Sequence, residues 1–206
     1  MKTPLLALVA LGFVSIFAPR VDAQTPVSPP AQVEVSQVKF AAARLGSDNW
    51  LESEIRLDVK PGGKLVSGEF VNRVKVILSI ACDATDNKGK KSLTYYRSQL
   101  ELISLEGGKP AYVRFYLPPE VVKRDNLRAD VKYYMVELEA AGEPQKPIKT
   151  SASNDFTTAE SLKNFLNKVS AESGVNEGIL MPQYLTPFAS DIQRPYATAL
   201  RREVQR

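Results

Sequence analysis

From Val33 to about Asn154 the chain alternates apolar and polar residues with a period of two, interrupted by turn residues. Such alternation marks strands with one buried face. The run Trp50 to Val59 is the cleanest, with Leu51, Ile55, Leu57 and Val59 on one face and Glu52, Glu54, Arg56 and Asp58 on the other. The run Phe70 to Asp83 is the most apolar. Val74, Val76, Leu78, Ile80 and Cys82 share a face while Ile77 and Ala81 partly cover the reverse, so a central strand is expected. A first strand over Val33–Ala43 slips its alternation between Val35 and Val38, which predicts a bulge. Further strands are expected over Ser92–Ser104, Ala111–Leu117 and Ala129–Ala140, with a weak edge strand over Pro147–Ser153. The turns between them carry Pro61-Gly62-Gly63, Asp86-Asn87-Lys88-Gly89, Gly107-Gly108 and Pro118-Pro119, and Glu120 to Leu127 reads as a short crossing.

Seven short strands at this spacing predict a mainly β fold, a single immunoglobulin-like antiparallel β-sandwich over residues 33–154. A small barrel of the oligonucleotide-binding type is the alternative. The period then changes to that of a helix. Thr157 and Glu160 have capping-box spacing, and Leu162, Phe165, Leu166 and Val169 make one apolar face, giving one short amphipathic helix over 157–173 that ends near Gly174. Residues 174–206 form an extended tail, in which Pro182, Pro187 and Pro195 forbid one continuous helix. A short helix is expected near its end, from Tyr196 to Val204.

The first residues have a different pattern. Lys2 precedes an apolar run from Leu5 to Phe17, and Val21-Asp22-Ala23 has the character of a cleavage site, so residues 1–23 read as a signal peptide cut before Gln24. An uncleaved anchor is the alternative. The run is short for a membrane span, and no Cys follows it to carry a lipid. Gly12-Phe13 lacks the downstream acidic residue of a prepilin, since Phe17 stands in its place. Residues 24–32 are a Pro-rich linker. The mature protein is therefore expected to be exported, to the periplasm, the outer membrane surface or the medium, with no integral membrane segment.

Composition removes most chemistry. The 206 residues contain no His and one Cys. This excludes Ser-His-Asp and Cys-His nucleophile systems, His-ligated zinc and an intrachain disulfide. A net charge of +4 is too mild to demand nucleic acid. The row Glu52, Glu54, Asp58 beside Arg56 reads as a solvated strand face, and Asp83, Asp86 and Asn87 lack the ligand series of a calcium loop. Cys82 reads as a core residue. No enzymatic activity, cofactor or metal is expected.

Two features point to contacts. Tyr95-Tyr96, Tyr112, Tyr116 and Tyr133-Tyr134 lie on three strands, and one ring of each adjacent pair must point outward unless it is covered. An outward Tyr surface would suit protein contacts or sugar stacking, and rings packed beneath the helix or tail are the alternative. The tail holds too many apolar residues to be left in water, so it must dock on its own sandwich, a second copy or another protein. Tyr184, Leu185, Phe188, Tyr196 and Leu200 are its candidate partner-binding anchors.

The stretch Asn49 to Gly63 (NWLESEIRLDVKPGG), with Phe70 to Asp83 (FVNRVKVILSIACD) and Tyr133 to Leu138 (YYMVEL), resembles the secreted pilus-like protein family of Akkermansia and related Verrucomicrobia, encoded beside type IV pilus genes. The resemblance implies an immunoglobulin-like domain, an envelope location and a structural or accessory part in a pilus-like system. It carries over no catalytic residues. Self-association or other pilus and envelope proteins are the partners expected on this ground, with a glycan-binding module as the alternative.

Overall fold

The computed structural model describes residues 32–60, 69–85, 89–129 and 131–201. The signal-peptide reading, the linker as far as position 31, and the turns at Pro61–Gly63 and Asp86–Lys88 lie outside these residues; Gln32, read as the end of the linker, opens the first strand. Strands β1 (Gln32–Leu45), β2 (Asp48–Lys60), β3 (Phe70–Thr85), β4 (Lys91–Glu106) and β5 (Ala111–Leu117) precede the short helix α1 (Pro119–Arg124) and strand β6 (Val131–Ala140). Then follow a two-residue strand β7 (Glu143–Pro144), helix α2 (Ala159–Glu172) and a two-residue strand β8 (Met181–Pro182).

Two antiparallel sheets form a sandwich, with strand orders β1-β2-β5-β8 and β4-β3-β6-β7. The chain changes sheet after β2, β4, β5 and β7, and the path through β1–β6 is the Greek-key path of immunoglobulin-type sandwiches. The period-two pattern sets which face is buried. Leu51, Ile55, Leu57 and Val59 of the first sheet meet Val74, Val76, Leu78, Ile80 and Cys82 of the second in one continuous core, joined by Tyr96, Phe115, Val136 and Leu138. A one-residue slip in any strand would turn that strand's apolar set outward, so burial pins the register. The expected bulge in β1 is present. Pairing with β2 shifts between Val35 and Gln37, and the Oγ of the unpaired Ser36 donates to the Arg56 carbonyl at 3.2 Å.

Both open sides of the sandwich are covered. On one, Gln145 N donates to Leu138 O, Ala152 bridges to Met135, and the Thr150 hydroxyl donates to the Val35 carbonyl of β1. This path departs from the edge strand expected over Pro147–Ser153, where Lys149–Ser151 is instead a single 3-10 turn. A straight strand would run past β6 without closing the gap to β1.

Helix α2 lies on the outer face of the second sheet, where Phe165 and Val169 pack on Ala81, Tyr95 and Met135. Its cap is one residue later than the sequence pattern suggests. Thr158, not Thr157, is the cap residue, with extended backbone; its Oγ1 accepts from Ser161 N at 3.1 Å, and Ser161 rather than Glu160 completes the box. Thr158→Ala is expected to destabilise the helix by about 1 kcal/mol, read as faster amide exchange in its first turn. Thr157→Ala should leave that exchange unchanged.

Candidate functional site

The outer face of the first sheet carries the densest group of ionisable side chains described. Cross-strand register places Glu52 opposite Tyr116 and Glu54 opposite Arg114. Arg114 is 6% exposed. Its Nε donates to Glu54 Oε2 at 2.9 Å, its Nη2 donates to the same oxygen, and its Nη1 donates to the Pro195 carbonyl at 2.7 Å. Glu52 accepts from Tyr116 Oη at 2.8 Å and from Arg194 Nε at 3.0 Å. Arg194 also pairs with Asp191 and stands over the Phe188 ring. The row Glu52–Glu54 is thus not the solvated face that its alternation suggests: the tail lies over it, and each carboxylate is paired with an arginine.

The tail attaches by a second kind of contact. Phe188, 2% exposed, stacks on Tyr116 with ring centres 4.6 Å apart and meets Trp50 edge-on at 5.6 Å. Gln183 Nε2 donates to the carbonyls of Phe188 and Arg194, which closes residues 183–194 into one bracketed loop. Beyond it the backbone reaches both sheet edges. Ala197 N donates to Tyr112 O of β5 at 2.9 Å, Leu200 N donates to Glu101 O of β4 at 2.7 Å, and Thr198 O accepts from Ile103 N at 3.0 Å. These bonds hold residues 196–200 extended, so the short helix expected from Tyr196 does not form there; Val204 lies outside the described residues.

The five tail anchors have different fates. Phe188 is docked on its own sandwich, and Tyr184 packs partly buried against the main core. Tyr196 and Leu200 are half-buried, and the Tyr196 hydroxyl donates to the Ala189 carbonyl at 3.4 Å. Leu185 faces solvent, 62% exposed. Val175 and Ile192, elsewhere in the tail, are 87% and 94% exposed. Sequence reasoning missed Arg114 and Arg194, because their role depends on cross-strand register and on the path of the tail.

Five of the six tyrosines named above pack into the body rather than forming an outward sugar platform, and the sixth, Tyr112, is part-buried beneath the Arg114 guanidinium. Tyr95, Tyr96 and Tyr116 are buried, Tyr133 packs beneath α2 against Phe156 and Phe165, and Tyr134 packs on Phe40. Burial, with a hydrogen bond donated to Asp125, raises the Tyr96 pKa well above its ordinary value; burial, with the bond to Glu52, does the same for Tyr116. Stability that depends on these neutral phenols is fully present below the unfolded value near 10 and is lost as pH rises beyond it. Melting temperature is therefore expected to fall above pH 10, with part of the phenolate absorbance appearing only as the protein unfolds. Full titration of all tyrosines in the folded state would contradict the packing.

Among the described residues, no group of three or more His, Cys, Asp or Glu side chains could hold a metal ion, and no helix is long and apolar enough to cross a membrane. An open cleft of about 440 Å³ lies between the end of α2 and β4, lined by Arg97, Gln99, Ser170, Ser173 and Glu177.

Comparison with curated proteins returns no sequence match. Among solved structures, a crystal structure of a protein from Akkermansia muciniphila is similar in fold, with a TM-score of 0.63 at 17% identity, over 85% of this chain and 98% of that one. At that identity the likeness concerns the fold. A protein-family model matches residues 14–196, nearly the whole sequence, and the chain belongs to that family.

Proposed function

We propose that this is an exported, non-enzymatic protein of the cell envelope that works through protein–protein contacts, as a structural or accessory component of a type IV pilus-like system. The observation that carries the contact reading is the two-sided tail. Its inward side chains fasten it to the sandwich, while Val175, Leu185 and Ile192 stand in solvent without covering a core of their own. Large aliphatic side chains on an ordered, anchored segment are suited to contact surfaces. Glu52 and Glu54, each paired with an arginine, fasten the tail to the sheet, a structural role in keeping with the non-enzymatic reading. The leader pattern at residues 1–23 and the fold shared with the Akkermansia protein support the envelope assignment.

The test is gentle crosslinking in native envelopes followed by recovery of the protein. The proposal expects pilus or envelope proteins to be recovered, and recovery to drop when Leu185 and Ile192 are both changed to Ser. Recovery of a small-molecule turnover activity, or of glycan alone, would overturn it.

A further inference from the structure

We infer that the arm Ile179–Leu200 is exchangeable, and that its seat on the first sheet accepts the same arm from a second copy of this chain. The arm has a clear start. Asn176, buried, is tied to the body by its Nδ2 donating to the Tyr95 carbonyl at 2.9 Å. Leu180, also buried, is the next fixed point. Between them Glu177 and Gly178 are exposed, and Gly178 has φ +77°, a conformation that side chains rarely adopt. This short connection is the natural hinge.

The seat recognises a specific chemistry. It offers an aromatic slot between Trp50 and Tyr116, the Glu52 carboxylate, and the side of β5 beside Phe115 and Tyr116. Its ligand must supply an aromatic ring, a guanidinium six residues later and a short extended strand before them. Phe188, Arg194 and Met181–Pro182 meet all three requirements. Every copy of the chain carries this segment, so a second copy is the complementary partner. The arm also buries Leu180 in the main core and packs Tyr184, Ala197 and Ala199 against it, and all of these contacts can re-form in a neighbour, a route to an assembly.

The inference rests on the contact role of the tail proposed above, and its test is separate from the envelope experiment. The full chain is compared with a variant lacking Glu177 and Gly178, whose arm cannot fold back, by light scattering and by the emission of Trp50, the one tryptophan of the sequence. The shortened variant is expected to double in mass, or to form a larger closed ring, with Trp50 emission unchanged from wild type. A second measurement does not depend on that variant folding. Wild-type protein held at high concentration near its melting onset and then cooled should contain a separable dimer with native Trp50 emission, and Phe188→Ala should lower the dimer yield at least several-fold. A shortened variant that stays monomeric with native emission would overturn the inference. So would a wild-type sample with no dimer, or a dimer that Phe188→Ala forms equally well. Monomers here, with envelope proteins recovered in the crosslinking experiment, would overturn the exchange and leave the proposed function standing.

Discussion

Arg114→Ala is expected to cost about 3–5 kcal/mol of unfolding free energy, the range for breaking one side of a buried ion pair. Arg114 sits on β5 with its guanidinium covered by the tail, and three of its nitrogen-borne contacts go to Glu54 and to the Pro195 carbonyl. Removing it leaves Glu54 half-buried beneath the tail without its cation, and Glu52 with Arg194 alone. The loss is then dominated by an uncompensated carboxylate rather than by the missing attraction. This makes a sharper expectation possible: the double variant Arg114→Met with Glu54→Gln should be more stable than Arg114→Ala, because it removes both charges together. Denaturant unfolding of the two variants decides the point. A cost for Arg114→Ala of under about 1 kcal/mol, the size of an exposed pair, would mean that the tail does not cover this face in solution.

Phe165→Ala should cost about 3–5 kcal/mol, the range for removing a buried aromatic ring. Phe165 is the inward ring of α2, with ring centres 5.1 Å from Phe156 and 6.3 Å from both Tyr95 and Tyr133. These rings and Met135 form a small cluster separate from the main core, so little else holds the helix to the second sheet. The expected result is undocking of α2 in advance of global unfolding, visible as fast amide exchange over residues 159–172 while β3 stays protected. Uniform protection with unchanged stability would show that the cluster contributes little. Lys163→Ala, on the exposed side of the same helix, should change stability by under about 0.5 kcal/mol.

The strands were legible because their burial is one-sided. In β2, Leu51, Ile55, Leu57 and Val59 face the core, and the alternation alone gives face and approximate ends. The apolar run of β3 reads as a central strand, and β3 pairs with β4 on one side and β6 on the other. What failed to show was what depends on distant partners. Glu52 and Glu54 alternate like surface residues, and only the pairing of β2 with β5 and the return of the tail bring Arg114 and Arg194 over them. Residues 196–200 have helical composition but spend their backbone hydrogen bonds on the edges of β4 and β5. The cap of α2 shifts from Thr157 to Thr158 because a serine hydroxyl can replace a glutamate in the box, a choice the spacing rule does not distinguish. The family resemblance implies an immunoglobulin-like domain, and the two antiparallel sheets of the sandwich agree with it.

The central claim is that the tail is an integral layer of the sandwich, fastened across two strand edges, rather than a free extension. Amide hydrogen exchange of the full-length protein tests it most directly. The account predicts slow exchange at Ala197 and Leu200, which donate to β5 and β4, and at Ile103, which donates to the tail, with the exposed Ile192 exchanging much faster. Exchange at Ala197 and Leu200 at the rate of an unstructured chain, with β3 still protected, would contradict it.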